Sequence, residues 1–105
     1  MDREQKQFKY MMALANAPLL PAEKRYLQAM KDDDYLSLDY CEGGGWWLGD
    51  DRASARIAWG LIRRSAISRN NDSAVHPGDI EIWRPNGIGL AILEGKRAEE
   101  ALVAE

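Results

Sequence analysis

Between Arg52 and Arg69 the chain carries five arginines and no acid, and its apolar residues change period partway through. Ile57, Ala58 and Leu61 sit together on one side at helical spacing, whereas Ala66-Ile67-Ser68-Arg69 reads as a strand. A fold for this chain must therefore set an amphipathic helix over about 52–65 directly before a strand. One side of that helix faces the core and the cationic side faces outward. At roughly 100° per residue, Arg52, Arg56, Trp59 and Arg63 gather on one face, opposite Ile57, Ala58 and Leu61. Three guanidiniums beside an indole make a surface for phosphates or for base edges in a major groove. A face that only keeps a small domain soluble would interleave both signs of charge.

The rest of the chain is cut into short elements. Phe8, Met11, Met12 and Ala15 form one stripe of a helix over 4–16. Pro21 suits the first turn of a second helix running to about Lys31, with Glu23 near its N-terminal dipole and Tyr26, Leu27 and Met30 turned inward. Asp32-Asp33-Asp34 reads as a solvated turn, because negative charge opposes the dipole at a helix C-terminus. Leu36 to Tyr40 alternates as a strand does, and Gly43-Gly44-Gly45 followed by Trp46-Trp47-Leu48 makes it half of a short hairpin. In a strand, Trp46 and Trp47 point to opposite faces, one into the core and one outward. Asp50 or Asp51 would cap the arginine helix. Ile80 to Trp83 also reads as a strand, separated from 66–69 by turn-rich residues, and a last helix runs from near Asn86 to Val103 with a break at Gly95.

The order of these parts resembles a known family. Leu61-Ile62-Arg63-Arg64-Ser65-Ala66-Ile67 looks like the stretch of winged-helix proteins in which a recognition helix ends in a basic pair, turns at a small residue and enters the first wing strand. Asn86-Gly87-Ile88-Gly89 and then Leu93 resembles that family's closing helix, with a capping residue, a glycine three positions on and a leucine four further. The resemblance covers residues 52–93. It implies an α+β fold in which helices carry a β-hairpin wing, with a second short hairpin added. It also implies a route to DNA, with Arg52, Arg56, Trp59 and Arg63 as helix contacts and Arg69 and Asn70 as wing contacts.

Size and charge limit the other possibilities. A chain of 105 residues fits one domain over 1–105, and 46% apolar residues suffice for one modest core. Net charge is −3, but it is segregated: +3 over 1–31, −7 over 32–51, +5 over 52–69 and −4 over 70–105. No apolar run spans a bilayer, the charged N-terminus lacks a signal peptide, and the single Cys41 forms no internal disulfide, so a cytoplasmic setting follows. The glycine triplet lacks the Gly-Lys-Ser/Thr of a phosphate loop, and His76 reads as a turn residue. No enzyme chemistry, cofactor or metal is indicated.

The expectation is a small DNA-binding protein, a transcriptional regulator of phage or mobile-element type that reads duplex DNA with helix 52–64. The alternative is a protein-binding module of winged-helix-like shape, such as a phage-encoded inhibitor of a host defence (anti-CRISPR-like) or transcription complex. The acidic segment 32–51 and a pI of about 5.2 favour the alternative. Ala98, Ala101 and Leu102 offer a C-terminal face for a homodimer.

Overall fold

The computed structural model describes residues 2–39, 44–70 and 80–103. The expected turn residues around Cys41 and His76 lie outside the described residues. The protein is α+β. Helices α1 (Arg3–Asn16) and α2 (Pro21–Lys31) precede strands β1 (Leu36–Asp39), β2 (Gly45–Leu48) and β3 (Asp51–Arg52). Helix α3 (Ala55–Arg63), strands β4 (Ile67–Arg69) and β5 (Ile80–Pro85), and helices α4 (Gly87–Leu93) and α5 (Ala98–Val103) follow. The sheet is antiparallel throughout, in the order β3-β2-β1-β5-β4.

Sheet register decides what faces the helices. Leu36 pairs with Leu48 and Trp83, and Leu38 pairs with Trp46, so these side chains share one face. That face meets the core, where Leu36, Leu27, Met30 and Leu61 are wholly buried. Ser37, Trp47, Ile82 and Arg52 share the other face. Trp46 is therefore buried and Trp47 half-exposed, the split expected of adjacent strand residues.

Helix α1 opens on a capping box between Asp2 and Gln5. Its expected stripe holds only from Met11 onward. Residues 2–10 are all exposed, Phe8 included, and Met12 and Ala15 make the buried contact. Asn16 at its other end caps α5: its Oδ1 accepts from the Ala98 N–H at 2.7 Å, and its Nδ2 donates to Glu99. The hydrogen bond from Asn16 is the main reason the Glu99 carboxyl sits below the usual range, with Arg97 adding to it. The stability Glu99 lends is therefore present above the ordinary glutamate pKa and is lost as pH falls through the lowered one. Ala98 is wholly buried within the chain's own core and Ala101 packs near Gly87, so of the expected dimer face Leu102 alone is exposed.

Three helices end alike. After α2 the Asp34 and Asp33 N–H groups donate to the Ala29 and Met30 carbonyls. After α3, Ala66 and Ser65 donate to Leu61 and Ile62. After α4, Lys96 and Gly95 donate to Ala91 and Ile92. Each is the paired closing pattern that places one residue at positive φ. Those residues are Asp33 (φ 89°), Ser65 (φ 60°) and Gly95 (φ 82°). The acidic triplet is thus an ordered helix stop, held by backbone hydrogen bonds in spite of its charge. Only the third stop has the residue that adopts this backbone without a Cβ penalty. Asp33→Gly and Ser65→Gly should each stabilise the fold by about 0.5–1 kcal/mol. Urea midpoints shifted upward at unchanged slope would bear this out, and a downward shift would contradict it.

Candidate interface beside helix α3

Helix α3 begins later than its periodicity implies. Ser54 is the N-cap, with its Oγ accepting from the Ile57 N–H, and its own N–H donates to the Tyr26 hydroxyl at 2.8 Å. Neither Asp50 nor Asp51 caps the helix. Gly49 turns at φ 58°, and Asp51 and Arg52 return alongside β2 as β3. Arg52 is therefore a strand residue and not a helix contact. Its guanidinium lies 4.7 Å from the Trp47 ring centroid and donates to the Gly44 carbonyl.

The basic pair also divides. Arg64 is buried, and its donors are all engaged. Nε and Nη2 donate to the two oxygens of Glu23 at 3.0 and 2.8 Å. Nη1 donates to the carbonyls of Ala17 (2.6 Å) and Ala15 (3.4 Å), and Nη2 also reaches that of Pro18. Glu23 in turn accepts the Leu20 N–H at 2.9 Å. This pair joins the end of α1, the start of α2 and the end of α3. A side chain with every donor satisfied has none left for a ligand.

Arg56, Trp59 and Arg63 remain on one exposed face of α3. Among the described residues neither Arg56 nor Arg63 has a carboxylate partner. Trp59 is 51% exposed, and its ring meets buried Trp46 edge-on, with centroids 5.9 Å apart. Arg69 is exposed at the end of β4 but pairs with Glu81 at 3.3 Å. Exposed Asn70 closes β4, its N–H donating to the Ile82 carbonyl. Of the six expected contacts, the fold brings three together on α3 and ties Arg52 and Arg69 to other partners.

Sequence reasoning missed the other half of this surface. A groove of about 570 Å³ lies beside α3. Leu14, Pro18 and Leu20 form one wall, and Arg56, Trp59 and Arg63 belong to the other. Gly60 lies between the arginines; a Cβ there would stand 3.0 Å from a Glu23 oxygen. The available signal was Leu20, an apolar residue between two prolines, which is 47% exposed.

No protein-family model, curated protein or solved structure gives a significant match to this chain. Among the described residues no helix is long and apolar enough to cross a membrane.

Proposed function

We propose that this chain is a protein-binding module that works through the groove beside α3. The observation that carries this reading is the combination of an apolar wall (Leu14, Pro18, Leu20) with two arginines on the facing helix that have no carboxylate partner among the described residues. The order of α3, the antiparallel pair β4 and β5, and α4 is the one the winged-helix resemblance implies, and such a fold does not by itself fix the class of partner.

Duplex DNA is the second reading, favoured by the exposed Arg56-Trp59-Arg63 face. Two features weigh against it. A recognition helix reads bases with its N-terminal residues, and here exposed Asp50 and Asp51 lie just ahead of that end. Arg52, expected among the helix contacts, is instead stacked on Trp47.

The test is anisotropy of a labelled mixed-sequence duplex at low and moderate salt, with wild type and an Arg56→Ala, Arg63→Ala variant. The protein-binding reading expects no detectable duplex binding. Salt-steep binding that weakens in the variant by about 1–3 kcal/mol per arginine would move the assignment to DNA.

A further inference from the structure

We infer that the occupant of the groove is an acidic amphipathic helix of a partner protein, an inference that rests on the protein-binding reading. The argument begins with charge. Arg56 and Arg63 line the groove without carboxylate partners among the described residues, and the one acid beneath, Glu23, is spent on Arg64 and the Leu20 N–H. A partner crossing this surface therefore meets two uncompensated positive charges beside an apolar wall.

Spacing favours a helical partner. Arg56 and Arg63 are seven residues apart on α3, about 10 Å along its axis. A helix laid alongside places acids at i and i+7 at the same separation, about 10 Å. Its residues at i+3 and i+4 then fall between them, opposite Trp59 and Leu20. An extended strand repeats side chains on one face at about 6.6 Å and 13 Å, and neither matches. Apolar anchors on one helix face set in a groove are an established recognition mode. Gly60 suits it, because the helix surface between the two arginines carries no side chain there.

The experiment is selection from a displayed library of alanine-framed helical peptides, randomised on one face, against the folded wild-type protein. Selected clones are then measured on wild type, on Arg56→Ala, Arg63→Ala and on Leu20→Ser. Arg56 and Arg63 are exposed, so an unchanged thermal midpoint is expected for their variant, whereas Leu20→Ser places a favoured capping residue at the N-cap of α2 and should hold or raise it; a lowered midpoint in either would mark a folding defect. The inference expects Asp or Glu enriched seven positions apart around apolar residues. It also expects binding about tenfold weaker on the double arginine variant, from two rim ion pairs. Clones that lack acids and lose affinity only on Leu20→Ser would overturn the acidic helix while leaving the groove reading standing. Clones indifferent to all three substitutions, or no enrichment at all, would overturn the inference. Salt-steep duplex binding in their place would overturn both.

Discussion

Arg64→Ala is expected to remove about 3–5 kcal/mol of stability, the cost of leaving one member of a buried ion pair alone. A domain of this size has roughly 5–15 kcal/mol in total, so the variant would be near the edge of folding. The loss has two parts. Glu23, only 2% exposed, would be left buried without its counterion. The carbonyls of Ala15 and Ala17 at the end of α1 would lose the guanidinium that satisfies them. Arg64→Lys should recover only part, since an ammonium cannot make the forked contact with both Glu23 oxygens. Replacing both partners with apolar residues, Glu23→Leu with Arg64→Met, should cost less than either change alone. Urea unfolding of the four proteins gives the coupling directly. A loss under about 1 kcal/mol for Arg64→Ala would mean that the pair does not hold the three helices together.

Two glycines of α4 should respond to alanine with opposite signs. At Gly89 a Cβ would stand 2.0 Å from the Ala66 carbonyl oxygen and 3.0 Å from its carbon. Both sides of that contact are backbone, so no side chain can swing away. The same turn is pinned by Asn86, whose Nδ2 donates to the Ser65 carbonyl and whose Oδ1 accepts from Gly89. Gly89→Ala should therefore cost about 3 kcal/mol, outweighing alanine's gain in helix propensity of about 1 kcal/mol. At Gly87 the added Cβ would meet only the Ala101 methyl, at 3.6 Å, an ordinary contact. Gly87→Ala should stabilise by about 0.5–1 kcal/mol. A thermal midpoint that rises for Gly89→Ala as it does for Gly87→Ala would show that α4 does not lie against the Ala66 carbonyl as described.

Local signals carried much of the fold. Pro21 opens α2, the hairpin of β1 and β2 flanks the glycine run, and Gly95 divides α4 from α5. Each depends on a residue's own backbone preferences or on strand alternation. What escaped was non-local. Nothing near Arg52 announces that it pairs across a sheet with Trp47, so helical periodicity starts at Arg52, three residues before the helix does. Ser54, a good capping residue, marked the true start. Arg63 and Arg64 look alike in sequence. Their separation into an exposed and a buried arginine depends on Glu23, 41 residues earlier, whose local pattern signals only a favourable place near the α2 dipole. The groove wall at Pro18 and Leu20 comes from that same distant segment. The arginine face was therefore half legible, and the concave surface it borders was not.

The most direct test of the groove is a backbone and indole amide map. The isotope-labelled protein would be titrated first with a selected acidic helical peptide and then with a mixed-sequence duplex. The peptide should shift Leu14, Ala17, Leu20, Gly60 and the Trp59 indole N–H together, and leave Ser68, Arg69 and Asn70 still. Shifts that follow the duplex, run along α3 into β4 and spare Leu14 and Leu20 would contradict the protein-binding groove and return the surface to DNA.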